Sequence, residues 1–360
     1  ILHAADLEKG ITLARQSNDE QTLKNIRRDN IKLATYRNLQ VRFNDLEVPV
    51  YSELILGLPG ETVESWKKGI DELLMSGLRN QLFIYLCQIL PNTELANLDY
   101  RKIYGIQSKR IKLQEIHGII RGEGWVDEFE DIVIATASMP HEQWREMVKF
   151  SWATMLLHSM KVGFFVLGWL WDRFKIQPSD FISYVQADLS KSFGWDDLLD
   201  RMMEGEGRGT VLPVYGGIYW DVEEAALLRA SEDWLSFFEW FSIAIRRFLG
   251  WEGQFFPERE EVDELDEVIL YQSDRLSEAS GRLLRKWEGL PRIELPFQWN
   301  LPEYFDRLGG STPIKLERKP QKLILKPRDF GGDHERFARE TVLWGRKSGT
   351  MLVPCEWGNG

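Results

Sequence analysis

The residues best suited to chemistry gather in one stretch, Glu53-Leu54-Ile55-Leu56-Gly57-Leu58-Pro59-Gly60-Glu61-Thr62. An apolar run there enters a Gly-Leu-Pro-Gly-Glu-Thr turn and continues into an amphipathic helix over 63–75. Gly57 and Gly60 remove side chains where a ligand would approach, and Pro59 fixes the turn. Thr62 has the chemistry of an N-cap, and Glu64 falls in the first helical turn, where a negative charge is favoured. Such a turn also serves simply to reverse a chain, so its neighbours decide what it does.

Upstream, a short β-rich run ends at Gln16-Ser17. Ser17 and Glu20 have capping-box spacing, which predicts a helix from Asn18. Asp29-Asn30 offers a second N-cap, so the segment reads as a short helix, a joint and a longer helix over 31–43. Arg28 sits at the joint, where its side chain can fold back over the strand end carrying Gln16. Downstream, the near-continuous apolar run 80–90 closes in Pro91-Asn92-Thr93, as a buried parallel strand does. Strand ends near 16, 57 and 90 with helices between them give βαβαβ with parallel strands. In such folds ligands collect at the carboxyl ends of the strands, so Gln16, Glu53 with Gly57, and the corner at Ile89 and Leu90 would face one site.

Taken together and in order, Gln16-Ser17 with Leu23 and Arg28, the stretch 53–62, and Ile89-Leu90-Pro91-Asn92-Thr93 resemble the second half of a radical S-adenosylmethionine (SAM) barrel. The resemblance covers about residues 1–105. More loosely, the remainder is similar to accessory regions of radical SAM proteins that carry a cobalamin-binding domain. The resemblance implies an α/β fold, a partial (β/α) barrel followed by a mostly helical accessory region with a small C-terminal β-hairpin. It implies domains of 1–105 and 106–360. It places Gln16 and Glu53 on the SAM ribose and Arg28 on the SAM carboxylate, a task suited to a planar guanidinium fork. Ile55 and Gly57 would line the adenine from one strand, and Ile89 and Leu90 from the next. The implied cofactors are SAM, a [4Fe–4S] cluster whose ligands are not in this chain and, for the cobalamin-linked members, cobalamin, whose domain is not in this chain. The implied activity is reductive cleavage of SAM to a 5′-deoxyadenosyl radical, with cobalamin-linked members using it for methyl transfer or rearrangement.

The family holds its cluster through a Cys-x3-Cys-x2-Cys loop, whereas this chain has only Cys87 and Cys355. Cys87 reads as a buried strand thiol and Cys355 as a tail cysteine. With half a barrel missing, the first strand would present an open edge. The expectation is therefore a C-terminal fragment or one product of a split gene, partnered by the missing N-terminal half in cis or in trans and by a small-molecule substrate. Two other readings stay open. One is a non-catalytic half-barrel subunit that docks on a cluster-bearing partner. The other is a (β/α) enzyme using a different nucleotide.

Composition narrows the class. Two cysteines fit a reducing compartment without a disulfide framework, and a net charge of −11 argues against general binding to nucleic acid or anionic membranes. The reading is a cytoplasmic protein with no membrane span. The apolar, Trp-rich stretch 150–171 is broken by His158, Ser159 and Lys161, and is read as a buried helix pair bent near Gly163. Further on, 108–121 reads as a helix, 131–137 as a strand, and Pro140 opens a helix to about 157. From there to about 285 the chain reads as mostly helical, with breaks at 208–213 and 215–217. Its Trp residues (169, 171, 195, 220, 234, 240 and 251) suit either inter-helix packing or a groove for an aromatic or lipid-like substrate. The acidic run 258–267 suits a solvated helix face or a divalent cation, and is read as the former. The alternations 313–318 and 321–326 predict a hairpin, followed by a helix over 334–345. The five histidines show no metal-ligand spacing, and neither a Gly-x-Ser-x-Gly nor a P-loop motif appears.

Overall fold

The computed structural model describes residues 10–113, 116–118, 124–193, 196, 199–200, 218–251, 257–276, 293–328, 330, 333–349 and 351–359. The predicted breaks at 208–213 and 215–217, and Trp195, lie outside these residues.

Three parallel strands form the first sheet, in the order β1 (Ile11–Thr12), β2 (Val50–Leu56), β3 (Leu82–Leu86). Between them come α1 (Glu20–Asn25), α2 (Leu33–Asp45) and α3 (Val63–Leu74). The fold is thus α/β, as the sequence predicts. β2 alternates strictly between buried and half-buried residues. Val50, Ser52, Leu54 and Leu56 point to the helix layer, where Tyr36, Trp66, Ile70 and Leu73 are buried. Burying Trp66 also requires a partner for its indole N–H, which Ser151 Oγ provides at 3.2 Å.

Capping differs from expectation at two helices. Asp19 caps α1, accepting from Thr22 N at 2.7 Å, while Ser17 turns away to another partner. The second helix starts at Leu33 without a side-chain cap, because Asn30 is used elsewhere. Thr62 does cap α3, in a capping box with Ser65. β3 ends at Leu86 rather than near 90. Its chain then turns to pair antiparallel with β5 (Phe129–Ala135) through the Gln88–Ile132 bridge.

The segment 108–121 is not a helix over its first half. Residues Gln107–Lys112 form β4, antiparallel to β5. Helix propensity in a short, charged stretch yields to pairing with an apolar strand that needs its edge covered. Ile111 is the residue that β4 buries.

The helical layers follow. Helix α5 (His141–Thr154) runs into a π-turn over Met155–Ser159, and α6 (Phe164–Phe174) leaves at 93°. Among the described residues, no single helix is long and apolar enough to cross a membrane. The break is mended by side chains. Gln272 accepts from Phe165 N (2.8 Å) and donates to Lys161 O (2.5 Å), His158 Nε2 donates to Leu78 O (2.9 Å), and Ser159 Oγ donates to Leu82 O (3.1 Å). Helices then span α7 (Pro178–Phe193), Val222–Glu232, Trp234–Phe248 and Arg259–Arg275. Trp169, Trp220 and Trp234 are buried in one apolar core that also contains Leu54 and Leu323, while Trp240 and Trp251 pack against it. In the acidic run, Glu264 is buried and accepts from Trp169 Nε1, and Glu267 accepts from Gln298 N at 2.8 Å. These carboxylates serve packing.

The predicted C-terminal hairpin is replaced by an antiparallel sheet, β6 (Ile293–Phe297), β7 (Gln321–Leu325), β8 (Cys355–Asn359), with β7 central. Residues 313–318 are not a strand. Asn300 takes their backbone groups instead, donating to Lys315 O and accepting from Glu317 N. The final helix begins at His334 as predicted. It passes through a π-helical stretch, Ala338–Trp344, and ends at Ser348.

Candidate functional site

The face of the first sheet opposite the helices is only half-buried. β2 places Tyr51, Glu53 and Ile55 there, in register with Thr12 on β1 and with Phe83 and Tyr85 on β3. The aromatic residues make a row. Tyr51 meets Phe83 edge-on (centroids 5.8 Å apart), and Phe83 lies nearly parallel to Tyr85 at 6.1 Å. Arg346, from the final helix, lies over the Phe83 ring at 5.0 Å. That guanidinium is itself paired with Glu223 and Glu224, and this pairing holds Glu224 down at about 2. Among the described residues, no group hydrogen-bonds the Glu53 carboxylate.

Gln16 sits at the carboxyl end of β1 with φ 60°. Ser17 N–H donates to Arg15 O at 2.7 Å, two residues back, which closes a γ-turn with Gln16 at its apex. A non-glycine residue holds this conformation only where its surroundings determine it. Here β2 grips both sides of the turn, with Gln16 N–H donating to Glu53 O (2.9 Å) and Ile55 N–H donating to Gln16 O (2.8 Å). Asn30 Nδ2 donates to both Arg15 O and Ser17 O at 2.8 Å. Arg28 does fold back over the strand end. It donates to Ala14 O and Asn30 Oδ1, both at 3.2 Å, and lines an outer groove of about 880 Å³ with Arg15, Lys24 and Lys68.

The turn after β2 is locked from inside. Glu61 is 1% exposed and accepts from Ser17 Oγ at 2.5 Å and from Ser65 Oγ. Burial pushes its carboxyl up to about 7, although the two serine hydroxyls oppose the shift. Sequence reasoning passed over Glu61 because its spacing to Ser65 shows only a helix start. Its partner Ser17 lies 44 positions away and was taken for a cap.

The two glycines have a plain steric role. Gly57 has φ +100°, and a Cβ there would touch Cys87 Cβ at 3.4 Å and Val133 Cβ at 3.5 Å. Gly60 has φ +103°, and a Cβ would lie 2.4 Å from Asn25 Nδ2, which donates to Pro59 O. The space they leave is taken by protein. Ile55 and Ile89 are brought together, both packing on the small cluster of Leu58, Cys87, Ile106 and Val133. Leu90 is exposed. The structure thus joins Gln16, Glu53 and Ile55 through shared backbone bonds, sets Arg28 beside them, and places Gly57 and Ile89 at the neighbouring corner.

The residues present do not fit an iron–sulfur cluster, which takes several thiolates. The Cys87 thiol is buried and pushed up to about 12, and Cys355 lies in β8, paired with Leu325. Among the described residues, no group of three or more His, Cys, Asp or Glu could hold a metal ion. The half-buried sheet face carries the Glu53 carboxylate, with the Gln16 turn joined to it and the partly buried Ile55 and Ile89 at the neighbouring corner.

No protein-family profile matches the chain. Two curated proteins do. One, from Streptomyces tokunonensis, is named cobalamin-dependent radical SAM methyltransferase TokK. It is 38% identical over 161 residues, which cover 44% of this chain and 23% of that protein. The other, from Streptantibioticus cattleyicolor, is named 2-(S-pantetheinyl)-carbapenam-3-carboxylate methyltransferase. It is 27% identical over an aligned length of 386 residues, covering 94% of this chain and 51% of that protein. The chain therefore spans about half, or less, of the length of these relatives. The chain is thus similar to two named methyltransferases, one of them a cobalamin-dependent radical SAM methyltransferase by name.

Proposed function

We propose that this chain seats S-adenosylmethionine for a radical SAM methyltransferase that works with cobalamin, on a small-molecule substrate. The observation that carries the reading is Glu53. Its carboxylate lies on the half-buried face of a parallel sheet, bonded by no described residue, and its backbone is joined to the strained Gln16 turn. Two acceptor-rich side chains at a strand end suit the vicinal hydroxyls of a ribose. Ile55 and Ile89 would meet the adenine, with Gly57 and Leu90 at the rim. Arg28 would reach the amino-acid carboxylate by exchanging one of its two contacts, to Ala14 O or to Asn30 Oδ1.

When bound by polypeptide outside these residues, a [4Fe–4S] cluster would supply the electron that cleaves SAM. The residues of this chain bind and orient the nucleoside, as is usual where a cofactor carries the chemistry. The three parallel strands would be one part of a (β/α) barrel. In the first sheet the outer edge of β1 would pair with strands supplied in cis or in trans.

The test is calorimetric titration of SAM into wild-type protein and into Glu53→Ala. Loss of affinity with an unchanged melting profile supports the reading. Equal affinities in two folded proteins remove it. Co-expression with the cluster-bearing half tests the barrel, by light scattering on the eluted complex. A chain that stays monomeric in the presence of that half argues against strand completion.

A further inference from the structure

Gln16 occupies a backbone conformation that a side-chain-bearing residue rarely adopts, and it does so four residues past the two-residue strand β1, at an isolated parallel bridge to Leu54. Something must hold it. The β2 hydrogen bonds fix one side of the turn and Asn30 fixes the carbonyls on the other. Asn18 Nδ2 ties this corner to α3 through Gly69 O and Glu72 Oε2, both at 3.1 Å, and Asn25 Nδ2 ties α1 to the turn after β2 through Pro59 O at 2.9 Å. Glu61 adds the direct link from Ser17 to the first turn of α3. One carboxylate oxygen takes the hydroxyl of Ser17, the residue next to Gln16, and the other takes the hydroxyl of Ser65 in the first turn of α3. Ser17 Oγ is turned to donate because it already accepts from Asp19 N at 3.0 Å. Ser65 Oγ likewise accepts from Thr62 N at 2.9 Å. Glu61 is fully enclosed, so it cannot meet a ligand. Both its carboxylate oxygens go into bridging these two segments.

We propose that Glu61 is a positioning residue: by tying Ser17 to Ser65 it holds the Gln16 turn in place and so governs affinity for SAM without touching it. The proposal rests on the reading of this corner as the SAM seat. Either protonation state can serve. An ionised Glu61 accepts from both serines. A protonated one donates to Ser65 Oγ, whose own proton turns to Thr62 O at 3.2 Å, and still accepts from Ser17. The raised value at Glu61, with Asp19 as the nearby charge opposing ionisation, agrees with an environment that tolerates the neutral acid. Glutamine reproduces the neutral arrangement, with one acceptor and one donor in the same places.

The experiment is equilibrium dialysis of SAM against the 360-residue chain and its variants, with thermal unfolding run on each. Glu61→Ala is expected to weaken binding about tenfold, Glu61→Gln to stay within about twofold of wild type, and Ser17→Ala to weaken binding but add nothing in a Glu61→Ala background, as coupled groups do. A purely structural Glu61 would lower stability in Glu61→Ala while leaving affinity unchanged, and that result overturns the proposal. Glu53→Ala separates the two claims. If it loses affinity while folded Glu61→Ala and Ser17→Ala do not, the positioning role falls and the SAM seat stands. If Glu53→Ala also binds as wild type does, both fall. Should Glu61→Ala fail to fold, Ser17→Ala decides, and unchanged affinity there rejects the role.

Discussion

At the end of β1, the buried Glu61 joins two serines beside a half-open sheet face. At the bend between α5 and α6, the buried His158 and Lys161 bond to the backbone carbonyls of Leu78 and Arg79. Both places enclose titratable groups, and in both, burial pushes the group toward its neutral form. Their partners differ. At the bend, the side chains bond to main-chain groups, with Gln272 filling the remainder of a helix turned through 93°. At the strand end, Glu61 bonds side chain to side chain between two segments, next to the half-buried Glu53 carboxylate, which no described residue bonds. Buried polarity that mends a broken backbone belongs to the fold. Buried polarity that spaces two loops beside an open face belongs to the site.

The sharpest break of that comparison is Gln272→Leu. It leaves Phe165 N–H and Lys161 C=O enclosed without their partner, and each unmet group costs about 1–3 kcal/mol. Urea unfolding should show a loss of about 2–6 kcal/mol on that basis, with SAM affinity unchanged. A large loss of affinity would mean that the two regions are coupled.

Opposite pH dependences give the next test. Glu61 is raised from 4.5 to about 7, so the folded state holds more protons than the unfolded state in that window, and this group's contribution falls as pH rises through it. His158 is lowered from 6.5 to about 3, with burial first and Lys161 second as causes, so its contribution falls as pH drops from about 6.5 toward 3. Between pH 4.5 and 6.5 the two oppose each other. Glu61→Gln should remove the falling component that Glu61 supplies, so the variant's stability relative to wild type should rise by about 2–3 kcal/mol across that window, one proton being worth about 1.4 kcal/mol per pH unit. A variant whose profile runs parallel to wild type, by denaturant titration at each pH, would deny Glu61 its raised value.

Glu53→Ala and Arg28→Ala come next. A charge-assisted contact is worth about 1.5–3 kcal/mol, so SAM affinity should fall about tenfold or more in Glu53→Ala. Arg28→Ala should fall less, because part of its bonding is already given to Ala14 O and Asn30. Equal losses would mean that Arg28 releases both contacts on binding. The smallest effect is expected at the exposed Arg27–Glu94 pair. Arg27→Ala should shift stability by no more than about 1 kcal/mol, by the same titration.

Much of the site region was legible because its signals are local. Thr62 is the N-cap of α3, the apolar runs from 53 and over 80–90 hold the strands β2 and β3, and the order of strands and helices gives the parallel sheet. The misreadings arose where a residue had a distant partner. Ser17 has capping spacing, yet it bonds to Glu61. Asn30 has N-cap chemistry, yet it holds the Gln16 turn. The run 108–121 has helical composition, yet β5 takes its first half as a strand. The 313–318 alternation looks like a hairpin arm, yet Asn300 captures its backbone.

From sequence alone follow the α/β order, the strand–turn–helix at 53–74, the want of clustered cysteines and the likeness to radical SAM proteins. Each depends on residues near one another in the chain, where periodicity, capping and turn chemistry act. Tertiary structure alone decided that Gly57 and Gly60 make room for Cys87, Val133 and Asn25, that Gln16 is bent into a strained turn, and that Glu61 is its lock. These depend on hydrogen bonds and contacts between segments tens of residues apart, and a buried carboxylate finds its partners only after the chain has closed around it.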